Sequence, residues 1–130
     1  MLSHYQGAET ILVADDEPVV RSIAKIVLRN HGYNVLLAED GEQAYELHQS
    51  NGPVDLLVTD VVMPRMTGPE LVSALKQGQT NLLCIMMSGY HNNQLKGSEE
   101  SCAYLQKPFT PESLLKVVRK TLDDRQNTKA

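Results

Sequence analysis

The sequence predicts an α/β fold, five parallel strands covered on both faces by helices, and three observations carry that prediction. Short aliphatic runs alternate with amphipathic stretches five times along the chain. Three of those runs are continuously apolar, as strands buried on both faces must be. Turn residues and helix-capping signals stand between successive elements.

The run "TILVA" (10–14) is the first strand, and a helix over 18–30 follows, with Val20, Ile23 and Val27 as its apolar stripe and an end near Gly32. "NVLLA" (34–38) leads into a helix over 41–50, and "DLLVT" (55–59) into one over 69–76. "LLCIMMS" (82–88) is the fourth strand. The stretch 92–100 after it has Leu95 as its one large apolar residue, with Gly97 and Ser98 inside, so a short or frayed helix is expected. "AYLQ" (103–106) is the fifth strand. In the last helix, over 110–123, Thr110 can cap, Pro111 takes the first helical position, and Leu114, Leu115, Val118 and Leu122 face the core. Strand–helix alternation with right-handed crossovers gives a parallel sheet. Strands 1, 3 and 4 belong at its centre and strands 2 and 5 at its edges, which is the flavodoxin-like, doubly wound order 2-1-3-4-5.

At 130 residues the chain can bury one core. A single domain over 9–123 is expected, after an N-terminal extension (1–8) and before a polar C-terminal tail (124–130). The net charge of -4 comes without a basic cluster that could track phosphates, which argues against direct nucleic-acid binding. No apolar run approaches the roughly 18 to 20 residues of a membrane span, and "MLSHYQGAET" lacks the apolar core of a signal peptide, so a cytoplasmic protein without membrane contact is expected. Cys84 and Cys102 have neither metal-site spacing nor the density of a disulfide scaffold, and read as core thiols. His4, His31, His48 and His91 are scattered without paired spacing, which suits surface or cap roles better than a zinc site.

The strand order collects polar groups at the carboxyl edge of the sheet, where ligands bind in open α/β folds. Asp15 and Asp16 follow strand 1, Asp60 ends strand 3, Ser88 ends strand 4 and Lys107 follows strand 5. Singly, each has an ordinary reading: an Asp or Ser at a strand end is more often a cap or turn residue, and a lone Lys is usually solvated. Jointly they do not. Three carboxylates within about 5 Å of one another repel by roughly 3 kcal/mol per pair at an effective dielectric near 20, so a cation belongs among them. A compact, oxygen-lined site with few protein ligands suits Mg²⁺, which keeps several waters and shares a phosphate. Asp60 is then the candidate nucleophile, forming an aspartyl-phosphate. Lys107 and the metal would neutralise the phosphoryl oxygens, and the Ser88 hydroxyl would donate to one of them. Val62 and Tyr90, two positions beyond Asp60 and Ser88, should line the approach of water. Neither is a general base, so slow loss of phosphate is expected.

The segments "ILVADDEP", "DLLVTDVVMPRMTGPEL", "MMSGY" and "LQKPF", in this order and spacing, resemble the receiver domain of two-component response regulators over about residues 8–123. "SGY" and "AYLQKPFTPESLL" further resemble receivers at the C-termini of hybrid sensor histidine kinases. The resemblance implies that Asp60 accepts phosphate from a sensor histidine kinase or a histidine phosphotransfer protein. It implies that Asp16, Asp60 and the Val62 backbone carbonyl ligate Mg²⁺, with Asp15 acting mostly through water. Ser88 and Tyr104 fall at the family's switch positions, and Lys107-Pro108 where the family often has a cis peptide. Partner choice is expected on the first helix and the loop after the fifth strand; the downstream partner and oligomeric state are not indicated.

Two departures stand out. The spacing from Ser88 to Lys107 is slightly short for the family, and no effector domain is expected in the polar tail after Asp123. An excised domain and a stand-alone regulator both fit. A phosphatase of haloacid dehalogenase type would need a second acid two residues after its nucleophile, where Val62 stands, and a cap domain. A pseudo-receiver, an interaction module that has lost the switch, would not be expected to keep all five site residues. A nucleotide or flavin binder would need a Gly-rich loop after strand 1. No separate substrate turnover is therefore expected.

Overall fold

The computed structural model describes residues 5–89 and 102–127. Strands β1 (Thr10–Ala14), β2 (Asn34–Ala38), β3 (Leu56–Asp60), β4 (Cys84–Ser88) and β5 (Ala103–Gln106) pair in parallel in the order β2-β1-β3-β4-β5. Helices α1 (Pro18–Asn30), α2 (Gly41–Asn51), α3 (Gly68–Lys76) and α4 (Pro111–Asn127) connect or follow them. The register aligns Ala14 with Thr59, Asp60 with Met87 and Ser88 with Gln106, so the residues that end β1, β3, β4 and β5 lie level along one edge.

Strand alternation divides the interior into two layers. Ile11, Val13, Val58, Ile85 and Met87 face Ala24 and Leu28 of α1 and Leu114, Leu115 and Val118 of α4. Leu12, Ala14, Leu57 and Met86 face Ala44 of α2 and Leu71, Val72 and Leu75 of α3. Each fully buried leucine contributes roughly 1.5–3 kcal/mol. The expected cap at Thr110 is present, and a second one stands on α3. Thr110 Oγ1 accepts the Ser113 amide at 3.0 Å while Ser113 Oγ accepts the Thr110 amide at 2.9 Å. Thr67 and Glu70 form a reciprocal capping box on α3.

Several expectations need correction. Ile23 is 40% exposed; the core-facing side of α1 carries buried Ala24 and Leu28 with the expected Val20 and Val27 packed against the same cluster, and Ile23 falls off that face. β3 begins at Leu56, one residue later than expected, with the Asp55 side chain accepting the Thr10 amide at 2.8 Å, and it ends at Asp60 as expected. β4 begins only at Cys84, after a turn in which the Leu82 amide donates to the Gln79 carbonyl. The last helix runs past the expected end at Asp123 to Asn127: Arg119–Asp123 and Lys120–Asp124 ion pairs at 2.9 and 3.3 Å, each spanning one helical turn, support it beyond the apolar stripe.

Cys84 and Cys102 are buried as expected, but they are joined in a disulfide. The parallel register pairs Ile85 with Ala103, which sets the preceding residues side by side with Cα atoms 4.8 Å apart. His48 is buried, its Nε2 2.8 Å from Gln79 Oε1, whereas His31 is the C-cap of α1. His4, His91, Tyr90 and the stretch 92–100 lie outside the described residues.

The segment before β1 is held by α4 and by the turn after α1. The Gly7 amide donates to the His31 carbonyl at 3.0 Å, and Arg119 reaches Glu9 Oε2 at 2.9 Å and the Gln6 carbonyl at 3.4 Å. Among the described residues no helix is long and apolar enough to cross a membrane.

Candidate functional site

The carboxyl edge of the sheet opens into a cleft of about 660 Å³ lined by Asp16, Glu17, Asp60, Val62, Ser88 and Lys107, among others. β1 delivers Asp15 and Asp16 into the turn before α1. There the ordinary turn reading holds in part, because Asp15 Oδ1 accepts the Glu17 amide at 2.8 Å. Asp60 is the last ladder residue of β3, its side chain 14% exposed. One carboxylate oxygen from each of Asp15, Asp16 and Asp60 lies within 4.8 Å of the others.

Lys107 enters from the opposite side. Its amide donates to the Ser88 carbonyl at 2.9 Å, continuing the β4–β5 ladder by one residue, and the Lys107-Pro108 peptide after it is cis. The ammonium lies 2.8 Å from Asp15 Oδ2, 3.2 Å from Glu17 Oε1 and 3.3 Å from Asp60 Oδ2. One cation is thus shared by three acids. Ser88 is buried at the end of β4, Tyr104 on β5 is 38% exposed, and Val62 is 60% exposed at the mouth.

The electrostatics follow from this crowding. Burial, then the charge of Asp15, pushes the Asp60 carboxyl up to about 6 against the pull of Lys107. Burial likewise raises Asp15, opposed by Lys107 and the Glu17 amide. Burial works against the Lys107 charge, but Asp15, Asp60 and Glu17 together hold its ammonium above the usual lysine range. The donor set is hard oxygen, clustered and short of positive charge, which is the chemistry a small divalent cation fits.

Residues 11–119 match the family model described as the response regulator receiver domain. The chain belongs to the response-regulator receiver family. The receiver is 33% identical over 121 residues to the sensor kinase CckA of Brucella abortus, covering 90% of this chain and 13% of that protein. It is 36% identical over 114 residues to the transcriptional regulatory protein CpxR of Escherichia coli, covering 86% of this chain and 48% of that one. It therefore spans a small part of the first relative and about half of the second. Among solved structures, the chemotaxis protein CheY4 of Vibrio cholerae superposes with a TM-score of 0.83 at 29% identity, covering 88% of this chain and 99% of that one. The receiver domain of the hybrid histidine kinase CckA gives 0.76 at 36% identity, covering 87% and 98%.

Asp15, Asp16, Asp60, Ser88 and Lys107 meet at one edge of the receiver, while Tyr104 sits on β5 outside the cleft lining. Sequence reasoning missed Glu17 and Arg21. Glu17 occupies the N-cap position of α1 without a side-chain capping bond, its carboxylate turned to Lys107 instead. Arg21, one helical turn on, donates from Nη1 to the Asp15 carbonyl at 2.7 Å and fixes the turn that carries both aspartates. The signal for Glu17 was its place directly after the two aspartates; for Arg21 there was none.

Proposed function

We propose that the receiver takes a phosphoryl group from the phosphohistidine of a sensor histidine kinase or histidine phosphotransfer protein onto Asp60. In that step an Asp60 carboxylate oxygen forms the new bond to phosphorus, the phosphorus–nitrogen bond to the donor imidazole breaks, and the electron pair leaves with the imidazole, which takes up a proton. Asp15, Asp16, Asp60 and the Val62 carbonyl would hold Mg²⁺. Bound there, Mg²⁺ supplies counter-charge to the phosphoryl oxygens. Lys107 holds a second positive charge against the same oxygens, and the Ser88 hydroxyl donates to one of them. Ser88 and Tyr104 are the switch residues. The chain is read as cytoplasmic, with self-dephosphorylation and no other turnover.

The observation that carries this reading is the meeting of three carboxylates within 4.8 Å beside one lysine at a strand-end edge. A partner surface lies next to it. Val19, Ile23 and Ile26 of α1 are 69%, 40% and 56% exposed, and a groove runs from Val19 and Ile23 to Pro108 and Phe109 on the loop after β5. Exposed apolar side chains bordering a reactive cleft suit a phosphodonor protein that must bring its histidine to Asp60.

The test is labelling with acetyl phosphate and Mg²⁺, read by intact mass. Wild type should gain one phosphoryl group, and Asp60→Asn should gain none while keeping its circular dichroism and melting profile. Labelling of Asp60→Asn at the wild-type rate would remove Asp60 from the role.

A further inference from the structure

Two consecutive residues of the β3–α3 loop, residues 61–67, dock on two consecutive residues at the start of α2. Arg65 Nη1 donates to Asp40 Oδ2 at 2.6 Å, and Glu42 Oε1 lies 4.0 Å from Arg65 Nε. Asp40 is used twice, because its other oxygen accepts the Gln43 amide at 2.8 Å and caps α2. The next loop residue, Met66, lies directly on Gly41. A Cβ on Gly41 would fall 2.6 Å from Met66 Cβ and 2.7 Å from its carbonyl oxygen, so this approach requires glycine. Arg65 itself has φ 71°, the one non-glycine positive φ among the described residues. The backbone adopts a disfavoured conformation at the residue whose side chain reaches across to α2.

Stability does not explain such an arrangement. The Arg65 side chain is 61% exposed, and ion pairs of that kind contribute little to folding. Position does. The loop is closed at its base, where the Gly68 amide donates to the Val61 carbonyl at 2.8 Å, and pinned again within, where the Met66 amide donates to the Pro64 carbonyl at 2.7 Å. Met63 anchors the middle of the loop in the core, with Val61 and Met66 packed against the same cluster, and the contact with Asp40 and Gly41 adds a polar tie at the far end, next to Met66.

We infer that Arg65 and Asp40 are positioning residues that hold the β3–α3 loop so that the Val62 carbonyl serves the metal site. The inference rests on the metal-binding reading above. It makes a prediction of unusual sign. If Arg65 acted only through its charge, removing it would tighten Mg²⁺ binding, because a cation repels a cation. If it positions the loop, removing it weakens binding.

The test is calorimetric titration of Mg²⁺ into wild type, Arg65→Asn, Asp40→Asn, the double variant and Arg65→Lys. Asn at 65 tolerates the left-handed backbone without the guanidinium, and Asn at 40 keeps a capping oxygen without the charge. Each single variant should weaken Mg²⁺ about fivefold, the double variant no more than either single one, and Arg65→Lys should recover part of the loss. Melting temperatures of Arg65→Asn and Arg65→Lys should stay within about 2 °C of wild type. Mg²⁺ binding by Arg65→Asn that equals or exceeds wild type would overturn the inference alone. A wild type that binds no Mg²⁺ would overturn it together with the metal site.

Discussion

Lys107 and Asp15 form a buried ion pair, with Nζ 2.8 Å from Oδ2 and side chains 15% and 0% exposed. The lysine therefore leans toward Asp15, and its distance to Asp60 is longer, at 3.3 Å. In the absence of metal it is the counter-charge that lets Asp15 stay inside. An incoming phosphoryl group on Asp60 would compete for the same ammonium.

Lys107→Met should therefore cost more stability than the loss of a surface lysine. It leaves Asp15 buried without its cation, a change expected to cost about 3 kcal/mol at pH 7 in EDTA. Lys107→Met combined with Asp15→Asn should recover most of that loss. Urea denaturation of the three variants measures it, and a Lys107→Met protein as stable as wild type would show that Asp15 does not depend on the pair.

The pH dependence of the metal-free protein follows from Asp60. Its folded carboxyl, at about 6, titrates above the ordinary value of 3.8, so between those values the folded state holds the proton more tightly than the unfolded chain. Stability should fall as pH rises from about 4 to about 6, by up to about 3 kcal/mol, and change little above that from this group. Mg²⁺ at pH 7 should restore it. Asp60→Asn should flatten the slope, and both Asp60→Asn and Asp16→Asn should raise metal-free stability at pH 7 by about 1 kcal/mol or more. Denaturation midpoints at pH 4.5 and 7 in EDTA decide the matter; loss of stability in both variants would mean that the cluster does not repel itself.

Cys84 and Cys102 close a loop with a sequence separation of 18. Linking residues that far apart stabilises a small domain by about 3 kcal/mol in the chain-entropy account. Native protein should show no free thiol and two after reduction, and reduction should lower the melting temperature by about 10 °C. An unchanged melting temperature after complete reduction would show the bond to be neutral.

The lifetime of the phosphorylated state should be long. Val62, 60% exposed at the cleft mouth, can neither orient a water nor accept its proton, and Tyr90 is read as its partner in restricting access. Val62→Asn with Tyr90→Glu should speed phosphate release severalfold at unchanged Mg²⁺ affinity. Release that is already fast in wild type, or unaltered in the double variant, would place the control elsewhere.

The sequence was most legible where one residue type has one plausible place. Three continuously apolar runs fixed which strands are central, and the order of strand ends then brought Asp15, Asp16, Asp60, Ser88 and Lys107 to one edge. It was least legible where the outcome depends on cross-strand register or on the reach of a long side chain. Eighteen positions separate Cys84 from Cys102, and only the pairing of Ile85 with Ala103 makes them neighbours. Glu17 reads as a helix-start residue until Lys107 is seen 3.2 Å from it. The length of α4 depends on charge pairs beyond the apolar stripe, which a hydrophobic pattern does not register.

Arg119 bonds the segment before β1 and the last helix to each other through Glu9, Gln6 and the Tyr33 hydroxyl. None of those residues lines the acidic cleft, and of them only Tyr33 belongs to the apolar core. A pull applied to the leading segment would load the guanidinium and the last helix together with the bonds to His31 and Asn34, ahead of the β1 residues beyond Thr10. Tension would thus be carried along the flank of the molecule, and the carboxylates at the far edge would keep their spacing while it was borne.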